Sequence, residues 1–245
     1  MLDVTLVSCN YNTPEILEVM LKSWKEINYA VTNKCLIVDN STNEDSQLFL
    51  NRNNIRNIRN PGGTHHNGVQ IALDMVKTRY MLLVDTDVVF KKNALEQLKN
   101  YTERNFTLVG EVTGDRGGFQ LHRRINPWFF LIDVEFVNYY SIRFTDMNRI
   151  RETNSEGFYK NVPLAKNRPF KQYDVGATFL EDVMRFSGMV YNIRLEDEYF
   201  KHYEGMSWRK NSGVDNLIKQ NSENEIEYEK IYKEYVNIDV EKFFI

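Results

Sequence analysis

The triplet Asp85-Thr86-Asp87 carries two carboxylates at a spacing that suits metal binding. Successive residues of a strand point to opposite faces, so residues two apart can present their side chains to one point. Oxygen ligands of this kind suit Mg²⁺ or Mn²⁺ better than zinc. Because Asp is also common in turns and at helix N-caps, the triplet alone leaves a purely structural interpretation open.

The segment before the triplet, Tyr80–Val84, favours the metal interpretation. It is an apolar run too short for most helices and typical of a strand buried on both faces, as in a parallel sheet. Ligands of open α/β sheets bind at the carboxyl ends of such strands. The triplet therefore lies where a parallel sheet would bind a ligand.

The first hundred residues alternate between strand-like and helix-like patterns. Thr13 can cap a helix that starts with Pro14, where a missing N–H costs nothing. A strand, a helix and a strand in succession predict a right-handed parallel crossover. We predict strands at 3–9, 35–38 and 80–90, and helices at 14–24, 69–77 and 91–102.

Two further motifs follow this pattern. Asp39 ends the second predicted strand, where it can bind the base or ribose of a nucleotide or form a simple Asx-turn. The Gly-rich turn at 61–64 leads into a helix, and backbone N–H groups at such an entry can hold a phosphate. The adjacent His65 and His66 point apart, so we do not expect both to bind one metal.

The composition is that of a globular domain. At 245 residues, with 42% hydrophobic and 27% charged residues, the chain can form one large domain or a domain with a subdomain. No apolar run approaches the roughly 20 residues needed to span a bilayer. The N-terminus lacks the basic region of a signal peptide, so we expect a cytoplasmic protein. Cys9 and Cys35 are expected to be buried free thiols.

The charge is unevenly distributed along the chain. Residues 116–171 hold 10 Lys and Arg against 5 Asp and Glu, whereas residues 172–245 hold 9 against 15. A basic middle segment is compatible with an anionic partner. It is equally compatible with a solvated surface that balances the acidic end.

The order of the motifs resembles the family 2 glycosyltransferases, whose GT-A fold is a Rossmann-like α/β domain. The resemblance covers residues 4–98 and rests on VTLVSCNYNTPEILEVMLKSW, LIVDNSTNEDS, NPGGTHHNGVQIAL, YMLLVDTDVVF and KKNALEQL. It implies a mixed, mostly parallel sheet flanked by helices. It also implies a metal-dependent, inverting hexosyl- or pentosyltransferase that uses a nucleoside-diphosphate sugar, with UDP as the expected nucleotide.

The same resemblance implies roles for individual residues. Asp39 would bind the uracil or ribose, and Asp87 would hold Mn²⁺ or Mg²⁺ on the diphosphate. Asp85 would assist directly, through water or through the ribose. His202 resembles the His that ends the catalytic unit and reaches the metal in some members, although a lone His is usually structural. The nucleotide-sugar contacts would be Asn10, Asn12, Asp39, Gly63, Asn67, Asp85 and Thr86.

The catalytic base is implied by the helix predicted at 173–188, which resembles the family helix that opens with an Asp. Asp174 lies at its start and would deprotonate the acceptor hydroxyl. The usual Glu-Asp pair is absent there, because Tyr173 precedes Asp174. Glu181-Asp182 supplies such a pair only six residues before Gly188. The spacing to Gly188 favours Asp174 as the base, and Glu181 and Asp182 are the rival candidates. The structural alternative is that Asp174 only caps the helix.

The acceptor is the least constrained part of the prediction. Trp128–Asp133 resembles the strand that leads into the acceptor site, and Arg123, Arg124 and Trp128 are its candidate contacts. The family favours a hydroxyl on a glycan. The alternative is a hydroxymethylated base in DNA, flipped onto Trp128; it rests on the basic middle segment, the Arg123-Arg124 pair beside Trp128 and the lack of an obvious membrane-binding helix. A third alternative is a non-catalytic nucleotide-sugar-binding domain.

These expectations divide the chain into three parts. Residues 1–105 would bind the nucleotide sugar and residues 106–222 the acceptor, within one domain. Within the second part, residues 146–173 are basic and irregular and would form an acceptor-side loop or lid. Residues 223–245 would add a helix at 223–236 and an apolar tail, which could pack on the body or on a second subunit.

Overall fold

The computed structural model describes residues 2–28, 34–115, 121–154 and 173–203. The strands in these ranges are β1 Val4–Asn10, β2 Cys35–Asp39, β3 Asn57–Arg59, β4 Tyr80–Val84, β5 Val88–Phe90, β6 Leu108–Thr113, β7 Arg124–Asp133, β8 Val190–Asn192 and β9 Phe200–His202. The helices are α1 Pro14–Asn28, α2 Asp45–Arg52, α3 His65–Met75, α4 Ala94–Glu103, α5 Val134–Tyr139, α6 Met147–Asn154 and α7 Ala177–Arg185.

Seven of the strands form one sheet in the order β3-β2-β1-β4-β7-β6-β8. The neighbours β3, β2, β1 and β4 are parallel, and β7 is antiparallel to both β4 and β6. The prediction of a mixed, mostly parallel sheet is therefore confirmed. Strands from both predicted halves of the domain share this sheet, while β5 and β9 form a separate antiparallel pair.

Helices cover both faces of the sheet. Along β4, Leu82 packs with α1 and α4 in one apolar cluster, whereas Met81 and Leu83 pack with α3 and α7 in another. All five residues of β4 are buried. A strand covered on both faces needs apolar side chains in both directions, which explains the uninterrupted run that marked it in the sequence.

The start of α1 and the state of the cysteines agree with the sequence predictions. Pro14 is the first residue of α1, and the Thr13 carbonyl accepts hydrogen bonds from the backbone N–H groups of Ile16 and Leu17. Cys9 and Cys35 are both buried and free. Within the described ranges, every helix is too short or too polar to cross a bilayer.

Several predicted boundaries differ from the structure. The stretch 80–90 is two strands rather than one, because Asp85-Thr86-Asp87 turns the chain and Val88 N–H bonds to the Asp85 carbonyl. Helix α3 begins at His65 instead of residue 69, because Thr64 caps it and accepts a hydrogen bond from Asn67 N–H. Strand β7 begins at Arg124, four residues before the start of the predicted acceptor strand at Trp128.

The remaining differences lie on the acceptor side. Residues 147–154 form α6, although the basic composition of 146–173 predicted irregular structure. Helix α7 begins at Ala177 because Gly176 adopts a left-handed conformation, with φ +84°, and ends the preceding turn. Asp174 therefore precedes the helix instead of capping it. The rest of the predicted lid, the helix at 223–236 and the tail lie outside the described residues.

Candidate functional site

Asp85, Asp87 and His202 converge at the carboxyl end of β4. The turn between β4 and β5 carries the two carboxylates, and β9 pairs with β5 so that Val88 lies opposite His202. The Tyr203 N–H donates to the Asp87 carbonyl at 2.8 Å. One ligand atom from each of the three residues lies within 4.8 Å of the others. We call this group the three-ligand cluster.

The electrostatics of the three-ligand cluster favour positive charge. His202 Nε2 lies 3.2 Å from Asp87 Oδ1, and both side chains are almost fully buried. Burial opposes the imidazolium form, but the hydrogen bond to Asp87 and the charges of Asp87 and Asp85 outweigh it and raise the pKa of His202 to about 9. A proton on His202 partly neutralises the paired carboxylates, and a bound cation would replace that proton.

The donor set of the cluster fits a divalent ion. Two carboxylates and one imidazole are ligands that Mn²⁺ accepts, and the carboxylates also suit Mg²⁺. The predicted metal ligands Asp85, Asp87 and His202 are thus brought together. Thr86, between the two aspartates, is buried.

Trp128 reaches the cluster through an irregularity in β7. Gly110 pairs with Phe130, and Val112 pairs with Ile125. Two residues along β6 therefore correspond to five residues along β7. The extra residues bulge and bring Trp128 over His202, with ring centroids 5.1 Å apart and planes 24° from parallel. Asp85 N–H also donates to the Trp128 carbonyl at 2.9 Å. A predicted acceptor contact therefore lies directly beside the predicted metal ligands.

The predicted nucleotide residue Asp39 lies two strands away from Asp85. Its Oδ1 accepts hydrogen bonds from Asn10 Nδ2 at 3.0 Å and from Ser41 N–H at 3.3 Å. Its Oδ2 is buried and accepts no hydrogen bond from the described residues. A buried carboxylate oxygen with spare lone pairs is suited to a donor group on a ligand.

Asn10 and Asn12 hold the loops around Asp39. Asn10 donates to Ser41 Oγ at 3.1 Å as well as to Asp39, and its Oδ1 accepts from the Thr13 hydroxyl. Asn12 Oδ1 accepts from Thr42 N–H at 3.0 Å. These contacts join the ends of β1 and β2, so both side chains support the site through the protein. Direct contact of either residue with a nucleotide stays a prediction.

The Gly-rich turn packs against a pair of asparagines that the sequence interpretation missed. Asn60 Nδ2 donates to Asn40 Oδ1 at 2.8 Å. A Cβ on Gly63 would lie only 1.9 Å from Asn60 Nδ2, so no larger residue fits without a shift. Asn67 is exposed in the first turn of α3. The position of Asn40 directly after Asp39 was the signal in the sequence that this residue could lie near the site.

His65 was also missed as a site residue. Its Nε2 lies 3.1 Å from Asp85 Oδ1, whereas His66 Nε2 lies 3.1 Å from Thr64 Oγ1. The two rings thus have different partners, as expected for adjacent residues. Burial disfavours the charged form of His65, but the hydrogen bond to Asp85 and the charges of Asp85 and Asp87 raise its pKa. Its position directly after the Gly-rich turn was the signal available in the sequence.

The leading candidate for the base, Asp174, forms an ion pair with Arg124 at the start of β7. Asp174 Oδ2 accepts from Arg124 Nη1 at 2.5 Å, and its Oδ1 accepts from Val175 N–H. The ion pair fixes the turn before α7 against the start of β7. Arg124 is buried and paired with Asp174, whereas Arg123 is exposed. The two arginines therefore do not form a joint surface patch.

The two rival carboxylates have other partners. Asp182 accepts two hydrogen bonds from the Arg149 guanidinium, at 2.8 and 3.2 Å. Glu181 accepts from the Tyr173 hydroxyl at 2.8 Å and lies 3.2 Å from His122 Nδ1. Asp174 and Asp182 each pair with an arginine, whereas Glu181 contacts a tyrosine and a histidine.

The sequence of the chain matches the model of the glycosyl transferase family 2 over residues 5–164. The chain belongs to this family. The expectation of a GT-A fold and of an enzyme in the glycosyltransferase class is confirmed at that level. No curated protein matches the chain.

Solved structures with the same fold are distant in sequence. TarS from S. aureus is 11% identical with a TM-score of 0.52, over 96% of this chain and 43% of TarS. GlyE from Streptococcus pneumoniae TIGR4 is 12% identical with a TM-score of 0.54, over 98% of this chain and 64% of GlyE. The mannosyltransferase PcManGT from Pyrobaculum calidifontis, in complex with GDP-Man and Mn²⁺, is 11% identical with a TM-score of 0.51, over 91% of this chain and 68% of that protein. The chain thus spans less than two thirds of TarS and of GlyE.

Proposed function

We propose that this chain transfers a sugar from a nucleoside-diphosphate sugar, with UDP as the expected nucleotide, to a hydroxyl of a glycan. The transfer depends on Mn²⁺ or Mg²⁺ and inverts the anomeric centre. The observation that carries the proposal is the convergence of Asp85, Asp87 and His202 at the carboxyl end of β4. Membership of glycosyl transferase family 2 supports the same reaction class.

The donor would lie across the carboxyl ends of β2, β1 and β4. Asp39 pairs with Asn10 on β1, and β1 pairs with β4 on its other side. Neighbouring strands are about 4.8 Å apart, so Asp39 and Asp85 are roughly 10 Å apart across the sheet. A nucleoside diphosphate can bridge that distance. The buried Asp39 Oδ2 would then accept a hydrogen bond from the base or the ribose.

Related folds bind ligands of this class. A fragment of TarS, residues 1–349, was solved with UDP and with UDP-GlcNAc, and PcManGT was solved with GDP-Man and Mn²⁺. In the present chain, Asp85, Asp87 and His202 would hold the divalent ion. When bound, the ion would offset the negative charge that develops on the diphosphate leaving group.

Asp174 is proposed as the base on the acceptor side. It would take the proton of the acceptor hydroxyl, whose oxygen attacks the anomeric carbon from the face opposite the diphosphate. The bond from that carbon to the diphosphate oxygen then breaks, and the nucleoside diphosphate leaves. The hydrogen bond that Arg124 donates to Asp174 Oδ2 would fix the orientation of this carboxylate. Glu181 and Asp182 are the competing carboxylates.

A glycan acceptor agrees best with the acceptor side. The partly buried Trp128 beside the three-ligand cluster offers an aromatic surface for a sugar ring. The DNA alternative relied partly on Arg123 and Arg124 acting together, and the burial of Arg124 in its pair with Asp174 removes that support. We propose residues 1–105 as the donor-binding half and 106–222 as the acceptor-binding half.

The test is donor cleavage by the purified chain. The protein is incubated with Mn²⁺ and a panel of UDP-, GDP-, dTDP- and CMP-sugars, and nucleotide release is followed by mass spectrometry. We expect release from one donor, its loss in EDTA, its recovery with added Mn²⁺, and a fall of roughly 10²–10³-fold in Asp87→Asn.

Asp74→Asn is the matched control, because Asp74 is exposed on α3 and bonds only to Gln70 among the described residues. It should release nucleotide like the unmodified chain. Release that persists fully in EDTA or in Asp87→Asn would contradict metal dependence. If no donor is cleaved, calorimetry with UDP separates an enzyme that waits for its acceptor from a chain that does not bind nucleotides.

A further inference from the structure

His65 contacts the three-ligand cluster from outside it. Its Nε2 lies 3.1 Å from Asp85 Oδ1, yet it is not one of the three residues whose ligand atoms lie within 4.8 Å of one another. Asp87 has its own histidine, His202, inside the cluster. Each carboxylate of the triplet is therefore paired with one imidazole, but the two imidazoles occupy different positions relative to the ion site.

The position of His65 is fixed by the packing of the first turn of α3. A Cβ on Gly68 would lie 2.8 Å from Cys9 Sγ and 2.9 Å from Asn40 Nδ2, so the helix backbone lies directly against the ends of β1 and β2. Thr64 caps the helix through its hydroxyl, and its carbonyl accepts from Gly68 N–H. This close packing of the helix entry against the ends of β1 and β2 positions His65 beside Asp85.

The side chains of the pair are only partly exposed. His65 retains 31% of its side-chain exposure and Asp85 22%. With Asp85 ionised, Nε2 of His65 carries the proton and donates to Oδ1. The hydrogen bond restricts rotation of the carboxylate about its Cβ–Cγ bond and leaves Oδ2 in a defined direction.

We propose that His65 is a positioning residue that orients the Asp85 carboxylate for a divalent cation. The inference rests on the metal role of Asp85 in the proposed function. Hydrogen-bond partners of metal ligands set the direction of the ligand lone pairs, and their removal typically reduces metal affinity roughly 10–100-fold. The Thr64 cap starts α3 at His65 and so places this histidine in the first turn, beside the triplet.

The test measures binding of Mn²⁺ alone, without any donor or acceptor. Free Mn²⁺ is followed by electron paramagnetic resonance as the full chain is titrated, for the unmodified protein and three variants. His65→Ala removes the hydrogen bond, and His65→Gln keeps an N–H donor near the position of Nε2. His66→Ala is the matched control, because it changes the adjacent histidine of the same helix turn, which contacts Thr64 instead of Asp85.

We expect His65→Ala to bind Mn²⁺ roughly 10–100-fold more weakly, His65→Gln to recover most of the affinity, and His66→Ala to bind normally. Equal affinity of His65→Ala and the unmodified chain would overturn the inference while leaving the proposed function intact. An equal loss in His65→Ala and His66→Ala would also overturn it, since the helix entry as a whole would then be responsible. Absence of Mn²⁺ binding by the unmodified chain would instead contradict the metal role in the proposed function.

Discussion

The proposed donor side and the proposed acceptor side of the site are built in different ways. On the donor side, Asp39 and Asp85 follow directly from the ends of parallel strands, and neighbouring strand ends meet by the geometry of the sheet. On the acceptor side, side chains are held by ion pairs between distant segments, such as Arg124 with Asp174, 50 residues apart. Strand geometry positions the first set, and charge pairing positions the second.

This difference matters for how each side responds to substitution. A residue at a strand end keeps its position when one of its contacts is lost, because the backbone ladder holds it. A residue held by an ion pair loses both its partner and its orientation. Substitutions on the acceptor side should therefore combine chemical and structural effects, and the experiments must separate them.

The largest effect is expected for Asp174→Asn. The variant removes the proposed base, so kcat for transfer should fall roughly 10²–10⁴-fold. Arg124→Met is the matched comparison, because it breaks the same ion pair and retains the carboxylate. Transfer rates measured with saturating donor should fall much less in Arg124→Met.

Equal losses in these two variants would mean that Asp174 acts only through its ion pair. Glu181→Gln and Asp182→Asn extend the comparison to the rival carboxylates. A loss in either that exceeds the loss in Asp174→Asn would transfer the role of base to that residue. The acceptor side would then be centred on that residue, and its side chains would still be held by ion pairs.

A smaller effect is expected for Asp39→Asn on the donor side. The substitution removes the charge from a buried acceptor while strand pairing keeps the backbone in position, so UDP should bind roughly 10–100-fold more weakly. Calorimetric titration with UDP measures this directly. Asp45→Asn, at an exposed position in the first turn of α2, should leave the dissociation constant unchanged. An unchanged constant in Asp39→Asn would remove Asp39 from the nucleotide site.

The smallest effect concerns stability in the two halves. Gly63→Ala would place a Cβ against Asn60 and Asn40, so it should destabilise the fold by about 1–3 kcal/mol. Gly114→Ala, after β6, meets nothing closer than 3.9 Å and should stay within about 0.5 kcal/mol. Urea denaturation of both variants gives the comparison. Similar values would show that the Gly-rich turn adjusts to the added methyl group.

Much of the donor side could be predicted from the sequence, for a physical reason. The apolar run at 80–84 and the polar residues after it reflect a strand buried on both faces and open at one end, and this pattern is local. The resemblance to family 2 added the order of the motifs. The break after Val84 was missed, because an Asp-Thr-Asp turn between two apolar segments reads equally well as one continuous strand.

The acceptor side could be predicted only in outline. Hydrophobic periodicity indicated a helix near 173–188, but it did not reveal that Gly176 adopts a positive φ and delays the helix to Ala177. The pairing of Arg124 with Asp174 joins segments 50 residues apart, and no local pattern signals such a contact. Both missed contacts of the donor side, Asn40 with Asn60 and His65 with Asp85, likewise join segments whose distance is set by the fold.

The pairing of β9 with β5 has a consequence for how the protein is made. His202 lies 115 residues after Asp87, so a ribosome synthesises both aspartates of the triplet long before the histidine. During that interval the nascent chain presents two carboxylates without their third ligand. The proposed ion site is completed only when β9 docks against β5, so metal-dependent cleavage of donor sugars would begin only after His202 has been synthesised.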